Sequence, residues 1–347
     1  MSMEKLTLKN ERSGTCKHNT MLEKFCELCF EEAKNNQLIW NKIQELIKNS
    51  RGQRENLKPE TKIEIGNIKF EIKQITDKKD PNLEEVFKLL ETNFKPEELS
   101  GIESFAEKIE GKQMDGSERI KYRCFYVKDN NNKIVAVRIS ENIPLITENK
   151  SKMDENIFYG LYIVVDEKYR SSGLARELYI SALIDAMTES QKQNKSLKYL
   201  LAECTPSSEN LMNSIGLEKI FLKNNNTWKE FEYYQPALDF DNITGHPTKG
   251  EFPEHIMVAN LEDEINKENF YDIIASLLNQ YKNSYSRKDF ANDEAFITYQ
   301  NYYNNLYNDI SRQLEESSEL KGFNIEEQKE ITEQGSEIIH FNEANKR

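Results

Sequence analysis

The residues best suited to chemistry follow an apolar run near the middle of the chain, Phe158–Val165. A short polar turn and the start of a helix pattern come directly after this run: Arg170, Ser171, Ser172, Gly173, Leu174, Ala175 and Arg176. Backbone N–H groups at the start of a helix lie at the positive end of its dipole and bind anions. Gly173 lets the backbone approach a ligand closely. The pattern predicts a site for a pyrophosphate group.

This segment resembles the acetyl-CoA motif of the GNAT N-acetyltransferases, which reads Arg/Gln-x-x-Gly-x-Gly/Ala after a buried strand. The matching residues are Arg170, Gly173 and Ala175 in the motif, with Val165, Tyr169 and Leu178 beside it. The resemblance covers about residues 60–240. It implies that acetyl-CoA is the cosubstrate, with its pantetheine arm beside Ile163, Val164 and Val165 and its pyrophosphate at the turn.

Acetyl transfer to an amine needs a base for the ammonium proton and an acid for the departing thiolate. The resemblance places the base near the end of a strand predicted over 199–204, where Glu203 is the candidate. A carboxyl group between apolar neighbours has a raised pKa. Strand alternation equally allows Glu203 to face outward. Glu141 and Glu155 are weaker candidates for the base.

The acid is harder to assign, because the position that usually carries a tyrosine in this family holds Met212. Ser208, Ser214, Tyr233 or Tyr234 could supply a hydroxyl instead, and Tyr234 is the residue we select. Water could also protonate the thiolate. In the remaining alternative, the domain binds acyl-CoA without catalysis and serves as a scaffold.

Among the five cysteines, Cys204 and the three near the start of the chain have different interpretations. Cys204 has no histidine near it in sequence, so a buried structural thiol is favoured over a nucleophile. Four ligands for a metal stand close together near the start of the chain: Cys16, His18, Cys26 and Cys29. Cys-x-x-Cys is the usual zinc spacing, which predicts a closed structural zinc site. The alternative is a helical segment with incidental cysteines.

The surrounding pattern predicts the elements that must position these residues. Alternating and continuous apolar runs indicate strands before and after the turn, and 3–4 spacing indicates helices between them. The expected fold class is α/β (α+β), a GNAT-like mixed central sheet with flanking helices. We predict an N-terminal cysteine/histidine segment and helix over 1–58, an acetyltransferase domain over 60–240, an acidic helical extension over 241–323 and a disordered tail over 324–347.

Composition limits the partners. The net charge is −13, and residues 240–347 carry 21 Asp/Glu against 10 Lys/Arg. No basic patch for a nucleic acid and no apolar run of membrane-spanning length is visible. We therefore expect a cytoplasmic protein, with export as an effector left open. Its partner is an amine acceptor, either a small molecule or a protein. A tyrosine-rich helix near 293–320 predicts packing against the main domain or a homodimer interface.

Overall fold

A computed structural model describes residues 62–65, 68–96, 98–111, 121–147, 155–170, 172–193, 195–205, 208–225, 227–248, 252–261, 264–324, 327–329 and 338–339. The strands are β1 (Lys62–Ile65), β2 (Ile68–Ile75), β3 (Arg123–Lys128), β4 (Ile134–Pro144), β5 (Glu155–Val165), β6 (Ser196–Cys204), β7 (Glu218–Asn224), β8 (Thr227–Glu230), β9 (Tyr234–Gln235), β10 (Phe252–Pro253), β11 (His255–Asn260), β12 (Glu319–Phe323) and β13 (Ile338–Ile339). The helices are α1 (Leu83–Asn93), α2 (Ile102–Glu110), α3 (Leu174–Lys192), α4 (Glu209–Ser214), α5 (Lys267–Lys282) and α6 (Asp293–Glu316).

The main sheet has the order β1-β2-β3-β4-β5-β6-β11-β7-β8-β13, and β12 also pairs with β7. Neighbouring strands are antiparallel except β5 with β6 and β8 with β13. Helices cover both faces of this mixed sheet, which confirms the predicted α/β class.

A bulge decides which residues of β5 share a face. Opposite β4, the register shifts between Ile139 and Ser140, so that Leu161 is the extra residue on β5. Before the bulge, alternation places Phe158 in the cluster under α3 and Tyr159 in the cluster built with α5 and α6. The sheet thus separates the α3 face from a second face, which is covered by α1 and α2 at one end and by α5 and α6 at the other.

The predicted boundary at residue 240 does not divide the sheet. β11 lies beyond it in sequence and yet pairs with both β6 and β7. The extension predicted over 241–323 therefore supplies a central strand as well as helices. This happens because the chain between β7 and β11 makes a long excursion before it returns to fill the gap beside β6.

The tyrosine-rich helix α6 packs against the sheet and α5. Tyr299, Tyr303, Ile310 and Leu314 are buried, which agrees with the packing interpretation of the stripe. A homodimer stays a prediction. In the tail predicted to be disordered, Ile338 and Ile339 are described as a short strand on β8. No helix within the described ranges has the length and apolar character needed to cross a membrane.

Candidate active site

The parallel strands β5 and β6 separate toward their carboxyl ends. Their pairing runs from Glu155 opposite Ser196 to Gly160 opposite Ala202 and then stops. Beyond this point β5 stays with β4, and β6 stays with β11, where Cys204 faces His255. No described strand pairs with the β6-side edge of 161–165, so its backbone groups can bind an extended ligand. The predicted pantetheine residues, Ile163, Val164 and Val165, lie on this edge.

The turn predicted to bind the pyrophosphate follows at the open end of β5. The side chain of Asp166 accepts a hydrogen bond from the Lys168 N–H and caps a short 3₁₀ helix, Glu167–Tyr169. Gly173 has a φ of +92°, and a Cβ added there would meet nothing within 4 Å. Open space therefore lies beside Gly173, directly before the first residue of α3, and a glycine in the left-handed region allows close backbone approach to a ligand there. Ser171 lies outside the described residues.

The two arginines near the cradle have different surroundings. Arg170 is exposed, with its Nε donating to the Val165 carbonyl at 3.3 Å and its Nη2 to Asn93 Oδ1 at 3.5 Å. Arg176 is partly buried on α3. Arg170 is thus held at the end of β5, where its charge can attract a phosphate.

Glu203 lies beside the point where the two strands separate, in a cage of three tyrosines. The hydroxyls of Tyr159, Tyr233 and Tyr281 all donate to its carboxylate, the last at 2.7 Å. Burial raises the pKa of Glu203, and the three hydrogen bonds oppose part of that rise. Glu203 therefore faces a polar cluster on the α5 side of the sheet. Burial also holds the pKa of each caging tyrosine well above its usual value, so all three are neutral phenols.

A second carboxylate, which the sequence did not single out, stands next to this cage. Glu254 precedes β11, and its Oε2 atom is buried with no hydrogen-bond partner among the described residues. Burial raises its pKa to about 8, and the charges of Glu203 and Glu98 add to the rise. A carboxylate with a pKa near 8 is suited to accept a proton from an amine. The only sequence signal was a glutamate just before an apolar run, which is too common to be informative.

The other predicted bases lie elsewhere. Glu155 is at the far end of β5 and pairs with Lys198 at 3.4 Å. Glu141 is 2% exposed and accepts a hydrogen bond from Gln280 of α5 at 2.9 Å. The structure therefore brings Glu203 and not Glu155 to the opening between the strands.

The residues considered for the acid lie in different surroundings. Tyr234, the residue selected from sequence, is 36% exposed on β9, whereas its neighbour Tyr233 reaches Glu203. Met212 is buried in the cluster under α3, and the Ser208 hydroxyl donates to the Thr205 carbonyl at 3.0 Å. The hydroxyls close to the opening thus belong to the tyrosine cage.

Cys204 lies opposite His255 across β6 and β11, a proximity that sequence distance concealed. Both ring nitrogens of His255 face glutamates, Nδ1 towards Glu230 and Nε2 towards Glu209 at 3.3 Å. Burial raises the pKa of the Cys204 thiol. Cys204 is therefore a neutral buried thiol, as the sequence favoured.

An open cavity of about 270 Å³ lies beside the loop from α1 to α2. Its lining residues are Glu91, Phe94, Pro96, Leu99, Gly101 and Asp239. The loop is tied to the open part of β5, because the Tyr162 hydroxyl donates to the Glu98 carbonyl at 2.7 Å. Lys95 of the same loop lies 5.7 Å from the centre of the Phe252 ring of β10. The loop beside the cavity thus contacts both the open part of β5 and the strand that directly precedes Glu254.

The predicted zinc ligands, Cys16, His18, Cys26 and Cys29, lie outside the described residues. Among the residues that are described, no group of three or more His, Cys, Asp or Glu side chains could hold a metal ion.

No protein-family profile and no curated protein sequence matches this chain. Solved structures that resemble it include an acetyltransferase of the GNAT family from Staphylococcus aureus, with 13% identity, a TM-score of 0.34 and coverage of 56% of this chain and 99% of that one. The ribosomal-protein-S18-alanine N-acetyltransferase from Escherichia coli has 18% identity and a TM-score of 0.32, covering 56% and 95%. Arabidopsis thaliana NAA60, solved with a bisubstrate analogue, has 12% identity and a TM-score of 0.36, covering 55% and 97%.

Identities and TM-scores this low give no information on the acceptor or the mechanism. Those depend on the chain's own site.

Proposed function

We propose that this protein is a CoA-dependent N-acyltransferase that moves an acyl group, acetyl in the simplest case, to a primary amine by direct attack. The observation that carries this proposal is the separation of β5 from β6 directly before the cradle at Gly173. An extended arm with an amide backbone can pair with the open edge of β5 as an added strand does. Its pyrophosphate then meets the start of α3.

The two carboxylates near the opening supply the proton chemistry. The acceptor enters as an ammonium ion and must lose two protons in all. Glu254 takes the first, which leaves a neutral amine whose nitrogen attacks the thioester carbonyl carbon. Glu203 takes the second as the C–N bond forms and the C–S bond breaks.

The proton held by Glu203 is returned through the tyrosine cage. Tyr159 directly precedes Gly160, the last residue of β5 that pairs with β6. Its neutral phenol gives a proton to the departing thiolate and regains one from Glu203, to which it is hydrogen-bonded. In this proposal Tyr159 of β5 serves as the acid, because α4 carries Met212 where the family usually has a tyrosine.

The acceptor enters through the cavity beside the α1–α2 loop. Glu91 and Asp239 line this cavity, and the Glu98 charge reaches Glu254. This surface favours an acceptor with a second positive charge, whether a small polyamine or a lysine-rich peptide. Turnover of a neutral-tailed primary amine as fast as that of a diamine of equal length would overturn this preference.

The second candidate function is a protein that binds acyl-CoA without transfer. It is favoured by Met212, which is buried in the core where the family usually places its acid. The two functions differ in one measurable respect: only the enzyme releases free thiol when an amine is added.

Titration calorimetry with acetyl-CoA tests the common step. Wild-type binding in the micromolar range is expected, with a loss of tenfold or more in Gly173→Glu because a carboxylate in the cradle repels phosphate. Gly173→Ala is the matched control, since it carries the same backbone strain without the charge. No binding by the wild type, or equal losses in both variants, would overturn the proposed cradle. Thiol release from an amine panel then separates the enzyme from the binding protein.

A further inference from the structure

Three buried polar side chains lie between the sheet and α3 with atoms that lack hydrogen-bond partners. Arg138 and Ser140 come from β4, and Tyr179 comes from α3. They are 1%, 0% and 1% exposed, respectively. The atoms without partners are Nε and Nη2 of Arg138 and the hydroxyls of Ser140 and Tyr179. Buried polar groups are almost always hydrogen-bonded, so such a group of donors indicates a missing acceptor.

Arg138 is the centre of this cluster. Its guanidinium carbon lies 4.7 Å from the centre of the Tyr179 ring and 6.0 Å from that of Phe158. Its Nε and Nη2 atoms have no hydrogen-bond partner, acidic or otherwise, among the described residues, and burial lowers its pKa to about 10. A buried cation held only by aromatic rings lacks the anion that normally compensates its desolvation.

The cluster lies at the point where β5 and β6 separate. Gly160 is the last residue of β5 paired to β6, and it faces Ser140 of β4. A Cβ on Gly160 would lie 2.0 Å from Arg138 Nη2, so only glycine leaves room for the guanidinium there. The positive charge therefore lies against the backbone at the inner end of the opening.

The two faces of the sheet keep this charge apart from the proposed base. Tyr159 and its hydrogen bond to Glu203 lie on the α5 face, whereas Arg138 lies under α3. An acyl group held at the inner end can thus extend toward α3 while the amine approaches from the opposite face.

We propose that Arg138, Tyr179 and Ser140 bind a carboxylate at the far end of the acyl group, so that the preferred donor is the CoA ester of a dicarboxylic acid, such as malonyl- or succinyl-CoA. This inference rests on the proposed function. The reaction is unchanged: the C–N bond forms, the C–S bond breaks, and the far carboxylate keeps its charge throughout. Arg138 supplies two N–H donors and the cation, and the two hydroxyls donate to the remaining lone pairs.

Competition between CoA esters of similar length provides the test. Succinyl-CoA and butyryl-CoA have acyl chains of four carbons and differ in the terminal carboxylate. Calorimetry with each is expected to give an affinity ratio of about tenfold to hundredfold in favour of succinyl-CoA, the range for hydrogen bonds to a buried charged group. In Arg138→Met the ratio is expected to fall to one or below. Tyr179→Phe removes only one hydroxyl and should reduce the ratio about threefold to tenfold.

A surface arginine provides the matched control. Arg312 of α6 is exposed and pairs only locally with Asp309, so Arg312→Met should leave the ratio at its wild-type value. An unchanged ratio in Arg138→Met, or butyryl-CoA binding as tightly as succinyl-CoA to the wild type, would overturn the carboxylate site.

A readout without CoA keeps this proposal distinguishable from the proposed function. Succinate alone is expected to raise the melting temperature of the wild type, and Arg138→Met should abolish that rise. If no CoA ester binds but the succinate effect is present, the acyltransferase proposal fails and the anion site stands. If succinate has no effect and the ester ratio is one, the anion site fails and the acyltransferase proposal stands.

Discussion

Glu254 provides the sharpest test of the proposed proton transfer. Its carboxyl is partly buried, Oε2 has no partner among the described residues, and its pKa is about 8. Glu254→Gln keeps the shape of the side chain and removes its ability to take a proton. We expect kcat/KM of the wild type to rise with pH up to about 8 and this rise to be absent in the variant.

The size of the effect follows from the fraction of Glu254 that is ionised. With a pKa of about 8, that fraction is roughly 1% at pH 6, 10% at pH 7 and 90% at pH 9. The wild-type rate should therefore fall about tenfold for each unit below pH 8, while a general base contributes about 10²–10⁴-fold in total. The variant should lose at least a hundredfold at pH 9 and far less at pH 6, because there the wild-type base is mostly protonated.

The assay is thiol release at subsaturating acceptor, between pH 5.5 and 9.5. Glu294→Gln on the exposed start of α6 is the control for loss of one negative charge and should keep the full wild-type profile. A profile of Glu254→Gln that is parallel to the wild type, or a wild-type profile that is flat between pH 6 and 8, would refute the assignment of Glu254 as base.

Stability offers an independent check with a definite sign. The pKa of Glu254 rises from 4.5 to about 8 on folding. The native state therefore disfavours the ionised form, and the free energy of unfolding falls as pH increases from about 4.5 to 8. After allowance for partial exposure, we expect Glu254→Gln to gain about 2–3 kcal/mol over the wild type between pH 4.5 and pH 9. Denaturant titrations at both pH values measure this difference, and no gain would contradict the raised pKa.

Four further substitutions test other parts of the site and fold. Tyr159→Phe should lower kcat about tenfold to hundredfold by removing the proposed acid, whereas Tyr234→Phe on exposed β9 should change it less than twofold; the reverse order would restore the residue selected from sequence. Cys204→Ala should retain at least half of the wild-type kcat with no covalent acyl-enzyme visible by mass spectrometry, because a buried neutral thiol is no nucleophile. Gly245→Ala should lower the free energy of unfolding by about 2–4 kcal/mol, because φ is +73° and the new Cβ would lie 1.9 Å from the Ala295 carbonyl oxygen; a loss below 0.5 kcal/mol would show that the loop can move away from α6.

The elements on either side of the cradle could be predicted because their signals are local. The buried strand before the turn is a continuous apolar run, observed as β5 from Glu155 to Val165. The helix after it begins at Leu174, next to the glycine that the motif requires. The helix Lys267–Lys282 also has a local start signal, because Asn266 makes a capping box with Asn269. Such patterns depend on neighbours within four residues and need no knowledge of the fold.

The order of strands beyond β6 could not be predicted in the same way. β11 reaches its place between β6 and β7 only after the excursion through β8, β9 and β10. Nothing local in its six residues indicates which strand edge they will fill. Pairing of strands distant in sequence is decided by which edges remain open in the folded sheet. The extension predicted over 241–323 therefore also supplies β11.

The sequence by itself determined the class of the fold, because apolar periodicity carries that information. The cradle at Arg170 and Gly173 and the base at Glu203 are predictions that rest on the resemblance. Only the tertiary structure brought Glu254 and the tyrosine cage to Glu203. The tertiary structure also buried Arg138 against Gly160 without an acidic partner among the described residues. These groups come from strands and helices far apart in the chain. Their pKa values and hydrogen bonds arise from burial and close contact, which exist only once the sheet has assembled.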